Sequence, residues 1–307
     1  RANPGSLWLI GNEPDRVDWE GGGQDEMVPR VYAAAYHEFY HLLKAADPDA
    51  RVAIGGIIQP TPLRLLYLDR VLESYQDRYG APMPVDVWNI HNMILPENAD
   101  SWGAEIPPGI DAQHGAQYDI QDNDSLAIFQ SHIVAFRQWM DAHGQRDKPL
   151  IITEYGVLMP AVYGFDHARV SAFMQATFDT MLTAVDGELG YPADGDRLVQ
   201  RWMWSSLDPS SFEGQDSRSH LFDPQTTQIE PLGRDYGDYI LGNDLVTPYR
   251  DLRPVTVTVT APGGTAPVYG QPVSLTLASR VVNGGNTDTL PSTVAFSRDA
   301  SLLAEVA

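Results

Sequence analysis

Leu150-Ile151-Ile152-Thr153-Glu154 is four uncharged residues closed by a carboxylate. A second run, Leu7-Trp8-Leu9-Ile10, leads through Gly11-Asn12 to Glu13 in the same way. Neither run alternates apolar with polar residues. Strands covered on both faces read like this, and such strands belong to parallel sheets flanked by helices. Comparable runs at 52–58, 85–91 and 201–206 bring the set to five strands.

Helical periodicity fills the gaps. The spacing predicts helices over 28–46, 62–79, 125–143 and 167–185. In the first, Tyr32, Ala35, Tyr36, Phe39, Leu42 and Leu43 recur on one face; in the third, Ile128, Phe129, His132, Ile133, Phe136 and Met140 do so. Gly80 and Gly144 follow two of these segments as stop signals. Strands alternating with helices mean an α/β fold. A doubly wound sheet and a (β/α)8 TIM barrel both satisfy the alternation. Asn12, Glu13, His91, Glu154 and Trp204 all fall at or just past strand ends. Barrel enzymes collect their working groups on that face, which favours the barrel. No glycine-rich phosphate loop follows a strand, so the nucleotide-binding open sheet lacks support.

Residues 92–124 form a long polar connection, expected to overhang the strand ends as a cleft wall. Its Asp119, Asp122, Asn123 and Asp124 do not have EF-hand spacing, and helix capping by Asp124 or Ser125 is the preferred reading. From residue 250 the texture changes. Val255 to Thr260 alternates strictly, Pro262-Gly263-Gly264 marks a turn, and strands over Gln271–Ala278 and Ser292–Ser297 follow. The pattern is that of an incomplete immunoglobulin-like β-sandwich, giving a barrel over 1–246 and the start of a sandwich over 250–307.

The chain has 307 residues and a formal net charge of -21. That charge opposes nucleic-acid binding and attraction to anionic lipid. No apolar run is long enough to span a membrane. Cysteine is absent, which removes disulfides, thiolate metal sites and thiol nucleophiles. His91 is the one histidine at a strand end, so a metal-dependent hydrolase is disfavoured and no metal or cofactor is expected.

Two glutamates on the carboxyl ends of strands suit an acid and a nucleophile on opposite sides of one glycosidic bond. Asn12-Glu13-Pro14, Trp88-Asn89-Ile90-His91, Ile152-Thr153-Glu154-Tyr155-Gly156 and Trp202-Met203-Trp204 together resemble strands four, six, seven and eight of clan A glycoside hydrolases. Leu221-Phe222-Asp223-Pro224 followed by Pro231-Leu232-Gly233 resembles the approach to their last helix. The resemblance covers roughly residues 6–242. It implies a retaining glycosidase acting on a β-linked polysaccharide or oligosaccharide. Glu154 would be the nucleophile and Glu13 the acid/base, with one carboxyl kept protonated near neutral pH. Asn12, His91, Tyr155 and Trp204 would contact the sugar. It also implies that strands one to three precede this stretch, so that the chain is a fragment of poor stability on its own, and that the protein is secreted. Each residue has a plainer reading. Glu13 could be a helix-start carboxylate, Asn12 a turn residue, His91 a satisfied core histidine and Trp204 barrel core. A glycan-binding or cell-surface structural module on the same barrel is the alternative to an enzyme.

Overall fold

The computed structural model describes residues 4–17, 24–99, 101–207, 211–212, 215–223, 225–245, 252–260, 276–283, 294–298 and 301–306. The chain divides into two compact units, Arg1–Tyr239 and Ile240–Ala307.

The first unit alternates as the periodicity predicts. β1 (Leu7–Ile10) precedes α1 (Pro29–Ala46), β2 (Arg51–Ile54) precedes α2 (Pro62–Tyr79), and β3 (Trp88–His91) precedes α3 (Leu126–Ala142). β4 (Leu150–Glu154), α4 (His167–Thr183) and β5 (Arg201–Trp202) complete the series. Proline opens α1 and α2, where its missing N–H is not needed. Ser125 caps α3 and Asp166 caps α4, each accepting from a backbone N–H three residues on. Gly80 closes α2 in the left-handed conformation. The acidic cluster before α3 is spent on local structure. Asp119 and Asp122 cap each other's turn, Asp124 pairs with Arg169, and buried Asn123 holds the Leu158 N–H.

β1 pairs parallel with β2, and β3 with β4 and β4 with β5 in a second parallel ladder. Parallel bridges Ala53–Val87 and Ile57–Ile90 join β2 to β3. The five strands therefore lie side by side in chain order, without the reversal that makes a topological switch point. Val52, Ile54, Trp88, Ile90, Leu150 and Ile152 pack with the tyrosine face of α1, with α2 and with the phenylalanine face of α3, whereas Ala53 and Ile151 pack with Val87 and Leu7 in a separate small cluster. β1 departs from the expectation of cover on both faces: Trp8 is 48% exposed and Leu9 40%. It has a strand partner on one side only among the described residues.

After β5 come two short antiparallel pairs, β6 (Ser211–Phe212) with β7 (Gln215–Asp216) and β8 (Phe222–Asp223) with β9 (Gln228–Ile229). Helix α5 (Pro231–Gly242) follows and buries Leu232 and Tyr239.

In the second unit, β10 (Leu252–Thr260) pairs antiparallel with β11 (Thr276–Asn283), and β12 (Val294–Arg298) with β13 (Ser301–Val306). β13 has no counterpart in the sequence reading, and the Pro262-Gly263-Gly264 turn lies outside the described residues. The alternation of β10 predicts a half-buried strand, yet all nine of its residues are exposed. A two-stranded ribbon offers its alternate side chains no opposing sheet among the described residues. No described helix is long and apolar enough to cross a membrane.

Candidate active site

The site lies at the carboxyl ends of β1, β3 and β4. Tyr32 of α1 joins two strand ends from below, donating its hydroxyl to Ile10 O and accepting from the Gly55 N–H, both at 2.8 Å. Beyond Ile10 the chain turns sharply. Gly11 takes φ 91°, and Glu13 itself takes φ 47°, a left-handed conformation that L side chains avoid. The turn is held by the Asn12 N–H on Asp25 Oδ2 (2.6 Å) and the Glu13 N–H on Gly56 O (3.1 Å). Strain of this kind is kept where the surroundings over-determine it, and it points the Glu13 carboxyl inward.

β3 and β4 contribute through an irregularity. Ile90 pairs with Ile152, but His91 pairs with Glu154, so Thr153 is skipped. The bulge sets the imidazole and the Glu154 carboxylate side by side at the strand ends. Gly56 lets the ring in: a Cβ there would overlap the imidazole.

His91 consequently stands between the two glutamates. Its Nδ1–H donates to Glu13 Oε1 at 2.8 Å, and its Nε2 lies 3.7 Å from Glu154 Oε1. One ligand-type atom from each of Glu13, His91 and Glu154 falls within 4.8 Å of the others. A cation could touch all three. With Nδ1 engaged by Glu13, a cation would meet the ring at Nε2, on the side of Glu154.

The two carboxyls differ. Glu154 is 43% exposed at its side chain, whereas Glu13 is 4% exposed. Arg16 Nη1 lies 3.1 Å from the second Glu13 oxygen. Burial pushes the Glu13 pKa up, but the hydrogen bond and charge of His91 and the charge of Arg16 outweigh it, and the net shift is downward. The reading that one carboxyl is held protonated near neutral pH is thus not met by Glu13 in the free chain. The partners that orient it also stabilise its anion.

No family model and no curated protein matches this chain. Solved structures do. An endo-beta-1,3-glucanase from Pseudomonas viridiflava aligns at 16% identity and TM-score 0.45, over 74% of this chain and 67% of that one. A glucosidase from Croceicoccus marinus aligns at 16% identity and TM-score 0.42, over 79% of this chain and 41% of that one. An alpha-L-arabinofuranosidase from Thermotoga maritima aligns at 16% identity and TM-score 0.39, over 66% of this chain and 34% of that one. This chain therefore spans well under half the length of the last two.

Of the residues singled out in the sequence, Glu13, His91 and Glu154 come together, and Asn12 sits beside them, partly buried. Tyr155 does not join them. It is fully buried beneath the strand end, its hydroxyl 3.3 Å from Thr177 Oγ1 of α4, and burial raises its pKa well above the usual value. Side chains alternate along a strand, so a tyrosine next to an inward-facing Glu154 points into the helix layer. Trp204 follows β5, 7% exposed, with its indole N–H on Ser219 O at 2.7 Å and its ring against Tyr155 at 5.3 Å.

Sequence reasoning missed the groups that brace the site. Arg64 of α2 is completely buried, and all five of its N–H groups can find acceptors. Its Nε meets Glu97 at 3.0 Å, Nη1 meets both Asp15 Oδ2 (2.8 Å) and Asp15 O, and Nη2 meets the carbonyls of Ala104 and Glu105. Gln59, Thr61 and the Ala116 N–H complete the shell of Glu97. A second brace is uncharged. Tyr118 donates its hydroxyl to His132 Nε2 (2.9 Å), and His132 Nδ1–H donates to Asn92 Oδ1 (2.8 Å). Burial lowers the His132 pKa to about 4, so the ring is neutral at neutral pH, as this donor pattern requires. The Asn92 N–H then donates to Glu154 O at 2.9 Å. The signal for both was in the periodicity. Arg64 shares the face of Tyr67, Leu68, Val71 and Tyr75, and His132 that of Phe129 and Phe136.

Proposed function

We propose that this chain carries the catalytic pair of a retaining β-glycosidase of clan A type, with Glu154 as nucleophile and Glu13 as acid/base. The observation that carries the reading is the approach of a Glu13 and a Glu154 oxygen to within 4.8 Å, across His91, at parallel strand ends. Retention needs carboxyls about 5–5.5 Å apart, whereas inversion needs roughly 6.5–9.5 Å to admit a water between them.

In this reading the exposed Glu154 carboxylate attacks the anomeric carbon, and the leaving oxygen takes a proton from Glu13. Glu13 then activates the water that breaks the glycosyl ester. The depressed pKa of Glu13 in the free chain suits the second half, where it must be a base. For the first half, the bound substrate must exclude water and weaken the Arg16 contact, both of which raise it. Asn12 would contact the sugar 2-hydroxyl, where a hydrogen bond strengthens in the transition state. Trp204 would give the ring's CH face an apolar edge. β1 to β5 would be strands four to eight of a (β/α)8 barrel. Three more βα units would cover the bare edge at Trp8 and Leu9. We place the protein outside the cell, with an immunoglobulin-like sandwich beginning near residue 250.

The test is turnover by the full protein on aryl β-glycosides, β-glucans, mannans and xylans. Activity abolished in Glu154→Gln, with azide rescue of Glu154→Gly, is the expected result. Absent turnover, with glycan binding retained by the Glu13→Gln and Glu154→Gln variants, would replace the enzyme by a binding module.

A further inference from the structure

The strands have a second end, opposite to Glu13 and Glu154. A pocket of about 300 Å³ opens there, at the amino ends of the strands. Arg51 is the first residue of β2 and Arg201 the first of β5, and both line it. Side chains two apart on a strand share a face, so Arg51 goes with Ala53. Arg201 is level with Ile151 in the parallel ladder and shares its face. Both arginines thus stand on the side of the small Ala53–Val87–Ile151 cluster, turned from the helices. Three strand spacings of about 4.8 Å lie between them in the sheet. Two extended arginine side chains reach across that gap, over Val87 and Ile151.

Donors outnumber acceptors in this pocket. Asp194 is the one carboxylate on its wall, and Arg197 lies 2.6 Å from it. The Gln200 amide oxygen accepts from Arg137 Nη2 at 2.7 Å and from the Leu150 N–H at 2.8 Å. Among the described residues, the side chains of Arg51 and Arg201 have no hydrogen-bonding or ionic partner. The Tyr191 hydroxyl, on the same wall, has no hydrogen-bonding partner there either. The chain has 41 acidic residues against 20 Lys and Arg, so two unpaired guanidinium groups in one pocket run against its composition. Like charges gathered in this way repel unless an anion lies between them.

We propose that this pocket binds an oxyanion, a carboxylate or phosphate group held by Arg51 and Arg201 with the Tyr191 hydroxyl as a further donor. The planar fork of a guanidinium matches the paired oxygens of either group. The site is separate from Glu13 and Glu154 and stands whether or not they are catalytic. The oxyanion has two sources. It is a small free anion, or it is an acidic side chain of the protein itself, carried to this end by a strand that closes the barrel. In the second case the arginines sit inside the closed barrel, where burial without a counter-charge would be costly.

The experiment compares the full protein with Arg51→Gln, Arg201→Gln and the double variant. Inorganic phosphate and citrate are titrated by calorimetry at constant ionic strength, and thermal unfolding is followed in parallel. A free anion gives saturable binding that weakens about tenfold or more in each single variant and is lost in the double variant. A carboxylate of the protein gives no binding of either probe. The melting temperature then falls in each single variant, and the double variant is little worse than either, because both arginines act on one partner. Binding undiminished in the variants overturns the site. So does absent binding with melting temperatures that are unchanged or fall additively.

Discussion

The two strand ends that carry the candidate pair are braced by opposite kinds of chemistry. Beside β1, Glu13 is buried in a left-handed turn and stands on charges. Arg16 meets its carboxylate, and two residues on, Asp15 is locked into the buried Arg64–Glu97 group. At β4, Glu154 ends a strand with a bulge in its pairing, half exposed, over the neutral Tyr118–His132–Asn92 relay. The difference suits the tasks. A nucleophile needs an oxygen open to the substrate, which exposure at the strand end provides. An acid/base group needs a pKa set by its neighbours, which requires burial and nearby charge.

The comparison predicts unequal losses. Glu154→Gln should lower kcat on every substrate by on the order of 10^4-fold or more, as removal of a covalent nucleophile does. Glu13→Gln should lower kcat/KM, which reads the glycosylation step, about 10^2–10^4-fold on poor leaving groups, and far less on nitrophenyl glycosides, whose departure needs no proton. Equal losses on both substrate types would remove the acid role from Glu13.

Stability variants probe the braces. Arg64→Met leaves Asp15 and Glu97 buried without their cation, and urea denaturation should show a loss of about 3–5 kcal/mol. The neutral brace fails differently. The folded-state pKa of His132, about 4, lies below the 6.5 of an unperturbed histidine, so the unfolded chain takes up the proton first as pH falls. Stability should decline from pH 6.5 to 4 by about 3 kcal/mol on this account. His132→Gln keeps a donor for Asn92 and should remove that part of the decline. If both proteins lose stability equally between pH 7 and 4.5, the relay is not the acid-sensitive element.

The finest test concerns Arg16. Glu13 can act as an acid only while protonated, so kcat/KM falls as pH rises through its free-chain pKa. Arg16 lowers that pKa. Arg16→Met should therefore move the falling limb of the pH profile to higher pH. An unmoved limb would show that His91 alone sets the titration.

The strands and helices of the first unit were legible because burial on both faces imposes continuous apolar runs, and burial on one face imposes a helical stripe. The same logic read β10 as a strand but not its exposure, because alternation records which side chains share a face, not whether anything covers it. In the site, Glu13, His91 and Glu154 could be picked out as polar residues at strand ends. Tyr155 was misplaced because adjacency in sequence reverses facing in a strand.

What the sequence determined by itself was the order of elements, the α/β class and the residue types available at the strand ends. These follow from local periodicity and from where an apolar run stops. The tertiary structure decided everything that depends on distance. It set the bulge that pairs His91 with Glu154, the left-handed turn that aims Glu13, and the contacts of His91 and Arg16 that together outweigh burial. Arg64 joins Asp15, Glu97 and Glu105 across long separations along the chain, and no local pattern records such a contact. It exists because a buried guanidinium must gather acceptors for all its donors, and only the folded chain brings them within reach.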